Sequence, residues 1–141
     1  MPDSCLPGKR LDDGEKNRKK IILAVDDSPV LLKSVSAALS DVYKVYMLSD
    51  PAELEKVLRK LTPDLFLLDY QMPLINGFDL IPIIRSFEKH KDTPIIFLTS
   101  MRKLEILTAA ISFGACDCII KPFKPAILRN KIEKHIIMDW S

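Results

Sequence analysis

At 141 residues, 48% hydrophobic and 28% charged, the chain is sized for one globular domain whose core needs no disulfide or metal staple. No run approaches the ~18 apolar residues of a membrane span, no apolar signal segment opens the chain, and three cysteines do not read as a disulfide framework, so a cytoplasmic protein is expected. The net charge of +2 resides in residues 1–20, with six Lys/Arg against four Asp/Glu; residues 21–141 hold 15 of each sign and show no nucleic-acid signature by net charge.

Residues 1–19 read as a flexible charged tail, with Pro2, Pro7, Gly8 and Gly14 and little to bury. The cluster Arg18-Lys19-Lys20 reads as a solvated flank. From Ile21 the pattern alternates between strand and helix. A first strand is expected over 21–26. A helix follows over 29–40, capped by Ser28 with Pro29 in its first turn, and Val30, Leu31, Val35, Ala38 and Leu39 recur at helical spacing. The second strand spans 43–48. The second helix spans 51–60, with Asp50 as cap and Leu54, Val57, Leu58 and Leu61 as its stripe. The third strand spans 64–69. The third helix spans 77–88 and opens after Asn76-Gly77; Pro82 lacks an N–H and should bend its first turns. The fourth strand covers 94–98. Its helix covers 102–112 and ends on Gly114 as C-cap. The fifth strand covers 117–120 and the fifth helix 124–137, with Ile127, Leu128, Ile132, Ile136 and Ile137 inward. The expected domain therefore runs 20–138, with 139–141 as a C-terminal end too short for a second domain.

Strands that alternate with helices predict a parallel sheet with helices on both faces. Buried parallel strands read as continuous apolar runs, and ligands sit outside their carboxyl ends. The first run ends at Asp26 and Asp27, the third at Asp69, the fourth at Thr99 and Ser100, and the fifth at Lys121-Pro122. Three carboxylates, a hydroxyl and an ammonium should thus converge in one crevice, a set suited to a Mg2+ ion and a phosphoryl group.

Those motifs, Val25-Asp26-Asp27-Ser28, Leu68-Asp69-Tyr70-Gln71-Met72-Pro73 with Asn76-Gly77, Phe97-Leu98-Thr99-Ser100, Gly114-Ala115 and Lys121-Pro122-Phe123, stand in the order found in response-regulator receiver domains. The chain resembles that two-component family, its chemotaxis-regulator-like members included, over about residues 20–138. The resemblance implies a flavodoxin-like (βα)5 three-layer sandwich with parallel sheet order 2-1-3-4-5.

It further implies that Asp69 is the phosphoacceptor, taking a phosphoryl group from a phosphohistidine on a sensor histidine kinase as a mixed anhydride. Asp26 and Asp27, with Asp69 and the backbone carbonyl of Gln71, would hold Mg2+ or Mn2+. Thr99 and Lys121 would contact the phosphoryl oxygens, and the bond before Pro122 would be cis. Gln71 and Met101 would tune hydrolysis, and an apolar Met101 should lengthen the life of the phosphoryl state. Phosphorylation would switch a protein-binding face of helix 4, strand 5 and helix 5, for a downstream protein target or a phosphorylation-dependent homodimer. Slow autodephosphorylation fits this reading; enzymatic activity on another substrate does not.

Cys118 departs from the pattern. Many receivers carry Tyr or Phe three residues before the site lysine, and a thiol neither fills that volume nor offers that polar tip. Cys116 and Cys118, two apart on a strand, should share a face as inert thiols. His90 and His135 read as structural or surface residues.

Three other readings compete. A constitutive protein-binding pseudo-receiver would need a broken acceptor site. A haloacid-dehalogenase-like phosphohydrolase would need an acid where Gln71 stands. Direct DNA binding would need a helix-turn-helix region. Met1 and the long tail point to a native N-terminus, and both a stand-alone regulator and the receiver part of a longer protein stay open.

Overall fold

The computed structural model describes residues 19–73 and 75–136. The tail expected at 1–19, save its last residue, lies outside them, as do Ile137 and the C-terminal end at 139–141. Five parallel strands form one sheet: β1 (Ile21–Val25), β2 (Lys44–Leu48), β3 (Leu65–Asp69), β4 (Ile95–Thr99) and β5 (Asp117–Ile120). Their spatial order is β2-β1-β3-β4-β5, as expected. Five helices connect and flank them: α1 (Pro29–Leu39), α2 (Leu54–Leu58), α3 (Leu80–Arg85), α4 (Leu104–Ser112) and α5 (Pro125–His135).

The three central strands are apolar up to the residues that close β3 and β4, Asp69 and Thr99, because both of their faces are covered. Alternate residues divide between two cores. Ile22, Ala24, Leu65, Leu67, Ile96, Leu98 and Ile119 meet Leu32, Val35 and Leu39 of α1 and Leu128 and Ile132 of α5. Leu23, Val25, Phe66, Leu68, Ile95 and Phe97 meet α2, α3 and Ala110 of α4. Each large side chain fully buried this way contributes roughly 1.5–3 kcal/mol. Edge strand β2 leaves Tyr46 and Met47 exposed.

The helix faces differ in detail from the expected stripes. Val30 is 75% exposed and Leu32 is buried in its place, since Leu32, Val35 and Leu39 share the inward face of α1. In α5 Leu128 and Ile132, with Ile136 just beyond it, pack inward as expected, but Ile127 is exposed. The second and third helices open as 3-10 turns, Pro51–Glu53 and Gly77–Asp79. Asn76 and Asp79 cap the latter reciprocally, Asn76 Oδ1 accepting from the amides of Phe78 and Asp79, and Asp79 Oδ2 accepting from that of Asn76. Pro82 then falls in the first turn of α3, where its missing N–H is not needed. α3 stops at Arg85, with a 3-10 turn at Glu88–His90. Gly114 ends the α4 segment at φ +116°, as its sequence position predicted.

Cys116 and Cys118 do not share a face. Cys116 precedes β5 and packs toward the α1–α5 core, whereas Cys118 packs toward the other. Both are free thiols, and burial raises the pKa of each, the Asp117 charge adding to it. Asp117 instead anchors α5: Lys131 Nζ lies 2.8 Å from its Oδ1 and His135 Nε2 3.0 Å from its Oδ2.

Candidate functional site at the carboxyl ends of the strands

From β1 the chain crosses out to β2 and returns on the other side to β3. The carboxyl ends of β1 and β3 therefore flank the point where the strand order reverses, the crevice such sheets use for ligands. Asp26 follows β1 and Asp69 ends β3; they are 1% and 2% exposed. Asp27 is exposed beside them. The three carboxylates each offer an oxygen within 4.8 Å of the others. Asp26 Oδ1 accepts from the Ser28 amide at 2.9 Å, and Asp69 Oδ1 accepts from the Gln71 amide at 3.2 Å. Ser28 also caps α1, accepting from Leu31 N at 3.3 Å.

Lys121 enters from the end of β5. Its Nζ donates to Asp69 Oδ1 at 2.9 Å and to Asp26 Oδ2 at 3.2 Å. Its own amide donates to the Thr99 carbonyl at 2.8 Å, and the Lys121–Pro122 bond is cis. Burial alone would lower the Lys121 pKa. The hydrogen bond to Asp69 and the charges of both carboxylates outweigh that and raise it. Asp26 moves the other way from an ordinary paired acid. Burial, with the Asp69 charge adding to it, lifts its carboxyl to about 6, against the pull of the Ser28 amide and Lys121. One ammonium therefore does not fully compensate this carboxylate pair. An all-oxygen donor set with surplus negative charge fits a hard divalent cation such as Mg2+.

Thr99 is 1% exposed at the end of β4, and its Oγ1 accepts from the Met101 amide at 2.9 Å. Asp26, Asp69, Thr99 and Lys121 thus sit at neighbouring strand ends, as the sequence implied. Cys118 is half-buried and registers opposite Phe97. On that face Phe97 packs edge-on to Phe78, with ring centroids 5.2 Å apart; Phe78 in turn contacts Tyr70 at 4.9 Å and Phe113 at 4.6 Å.

Two site residues escaped the sequence reading. Gly77 is packed so closely that an added Cβ would collide with the Phe97 ring and lie 2.7 Å from the Asp69 carbonyl oxygen. The Asn-Gly pair signalled a turn there but not this contact. Ser100 Oγ donates to Gln71 Oε1 at 2.9 Å, joining the loops after β3 and β4. Only its place beside Thr99 marked it.

A five-stranded doubly wound domain with an acidic crevice and a lysine across it defines a flavodoxin-like class of fold. A profile of the response regulator receiver domain matches residues 22–133, and the chain belongs to that family. It is similar to protein RcaC of Microchaete diplosiphon, 34% identical over 93% of this chain and 20% of that protein. It is also similar to the DNA-binding response regulator MtrA of Mycolicibacterium smegmatis, 30% identical over 82% of this chain and 50% of that one. The chain thus spans half or less of the length of these curated relatives. The chemotaxis protein CheY4 of Vibrio cholerae superposes with a TM-score of 0.79 at 30% identity, covering 84% of this chain and 99% of that one. The receiver domain of the sensor histidine kinase PA1611 of Pseudomonas aeruginosa, which has a magnesium ion in its active-site cleft, superposes with a TM-score of 0.74 at 27% identity, covering 83% and 97%. No helix among the described residues is long and apolar enough to cross a membrane.

Proposed function

We propose that this domain accepts a phosphoryl group on Asp69 from a sensor histidine kinase and converts it into a change of protein-binding surface. The observation that carries the reading is the Lys121 ammonium held between two buried carboxylates at the reversal of strand order. A carboxylate oxygen of Asp69 attacks phosphorus, the bond from phosphorus to the donor nitrogen breaks, and the imidazole leaves with the electron pair. Lys121 then counters charge on the phosphoryl oxygens, and the Thr99 hydroxyl, which accepts from the Met101 amide, donates its own proton to one of them. Asp26, Asp27 and Asp69, with the Gln71 carbonyl, would hold Mg2+ or Mn2+. When bound, the ion supplies neutralisation of the charge gathered by carboxylates and phosphoryl oxygens.

The added charge at Asp69 biases the face of α4, β5 and α5 toward a downstream protein target or a second phosphorylated copy. Cys118 cannot act as a ring-based lever on that face, so we assign the coupling to a different rearrangement of α4 and β5. A Cys118→Tyr variant with altered phosphorylation-dependent partner binding supports this; unaltered binding removes it. Met101, half-buried beside Thr99, shields the phosphoryl group from water, so Met101→Ala should lose it faster. The domain acts in the cytoplasm as an acceptor and not as an enzyme on other substrates. The output activities of the curated relatives, DNA binding in MtrA among them, are properties of those proteins.

Intact mass after incubation with acetyl phosphate and Mg2+ tests the reading. A gain of one phosphoryl group in the wild type, absent without Mg2+ and absent in Asp69→Asn, is expected. No gain under any condition would leave a constitutive protein-binding pseudo-receiver.

A further inference from the structure

The loops after β3 and β4 form opposite lips of the crevice. Among the described residues one side-chain hydrogen bond joins the lips, from Ser100 Oγ to Gln71 Oε1 at 2.9 Å. One backbone bond, from Tyr70 N to the Leu98 carbonyl at 2.9 Å, lies beneath it. Each lip is tied to a site residue. The Gln71 amide donates to Asp69 Oδ1, so the Gln71 side chain projects from a backbone fixed on the acceptor carboxylate. The Met101 amide donates to Thr99 Oγ1, so Ser100 lies in a short turn fixed on the hydroxyl. Gln71 and Ser100 are both exposed, and the Asp69 and Thr99 they adjoin are buried. The bridge therefore spans the outer mouth and is not part of the core.

We infer that Ser100 is a positioning residue: it holds the Gln71 carboxamide across the mouth of the crevice, and this bridge prolongs the life of a phosphoryl group on Asp69. The inference rests on the reading of Asp69 as the acceptor. In hydrolysis, a bond forms from the water oxygen to phosphorus and the bond from phosphorus to the Asp69 oxygen breaks. The carboxylate leaves with the electron pair, and the protons of water pass to the phosphate and to solvent. The attacking water must arrive in line, from the side opposite the carboxylate. For a group seated at the bottom of the crevice, that side is the mouth. A carboxamide is too weak a base to activate water, so a bridge there acts as a cover. Its strength sets the size of the effect. A neutral hydrogen bond at an exposed site is worth little more than thermal energy, so the bridge opens often.

The test is the decay of protein-bound phosphate after acetyl phosphate and Mg2+ are removed. It is followed by intact mass in the full chain, for the wild type, Ser100→Ala, Ser100→Thr, Gln71→Ala and the Ser100→Ala/Gln71→Ala double variant. Ser100→Ala should speed decay about two- to tenfold. Ser100→Thr keeps the hydroxyl and should restore the slow rate. The double variant should decay no faster than Gln71→Ala alone, because the two side chains act as one unit. Melting temperatures should stay within about 2 °C, which separates a positioning role from a folding one. Unchanged or slower decay in Ser100→Ala, or additive effects in the double variant, would overturn the inference while leaving Asp69 as acceptor. If the wild type takes up no phosphoryl group, both fall together.

Discussion

The Lys121 ammonium stands 2.9 Å from the Asp69 carboxylate across 52 residues of sequence. This contact joins the end of β5 to the end of β3, with β4 and its Thr99 between them, and its second branch reaches Asp26 beyond β3. With the Lys121 amide donating to the Thr99 carbonyl, four neighbouring strand ends, those of β1, β3, β4 and β5, are tied into one hydrogen-bonded network.

Removing that ammonium leaves two buried carboxylates without a counter-charge. Lys121→Met should therefore destabilise the metal-free domain at pH 7.5, by on the order of 1–3 kcal/mol, because the site is partly open to solvent. Urea unfolding with EDTA present measures it. A variant as stable as the wild type would show that the contact contributes nothing net to folding.

Asp26→Asn should do the opposite. The fold holds the Asp26 carboxyl at about 6, above the 3.8 of a free aspartate. A raised carboxyl makes a contribution to stability that is fully present below about 3.8 and lost as pH rises to about 6. At pH 7.5 the wild type therefore bears an uncompensated charge that asparagine lacks, while asparagine keeps an oxygen for the Ser28 amide. The variant should melt higher than the wild type at pH 7.5 without divalent ions, and the gap should close toward pH 4. Saturating Mg2+ should narrow the gap at pH 7.5 by stabilising the wild type more. A gap independent of pH would point to some cause other than this carboxyl.

Gly77→Ala should damage the site from behind. The new methyl would meet the Phe97 ring and the Asp69 carbonyl, both on buried strands that cannot yield easily. A loss of about 1–3 kcal/mol is expected, with slower acceptance of phosphate on Asp69. Equal stability and equal acceptance would show that the β3–α3 loop adjusts freely.

The parts of this design legible in sequence are those written in single side chains at strand ends. Asp26, Asp69, Thr99 and Lys121 each close an apolar run, so a parallel sheet had to gather them. Hairpin-like detail at Gln71–Met72 and Ile75–Asn76 was not legible, because two-residue strands carry no periodicity. Helix faces were misjudged where apolar residues crowd every side: Val30, Leu31 and Leu32 are equally apolar, and only packing selects Leu32. The Ser100–Gln71 bridge was invisible because two polar loop residues announce nothing until the fold sets them face to face.

His90 offers a test far from the crevice. It is fully buried, its Nδ1 pairs with Thr93 Oγ1 at 2.9 Å, its ring stacks edge-on against Phe66, and among the described residues its Nε2 has no hydrogen-bond partner. Burial lowers its pKa, and the charges of Lys89 and Arg85 add to that against a weaker pull from Asp64. The fold therefore favours the neutral ring, whereas the unfolded chain protonates near the usual value of about 6.5. As pH falls through that value, the unfolded chain binds a proton more readily than the folded one, and stability drops. In His90→Leu this slope should vanish. The variant should lie within about 1 kcal/mol of the wild type at pH 7.5 and gain on it steadily toward pH 5. Urea midpoints of the two proteins across that range decide the matter: parallel curves would mean that His90 titrates alike in the folded and unfolded chains, and that its burial exerts no pull on its proton.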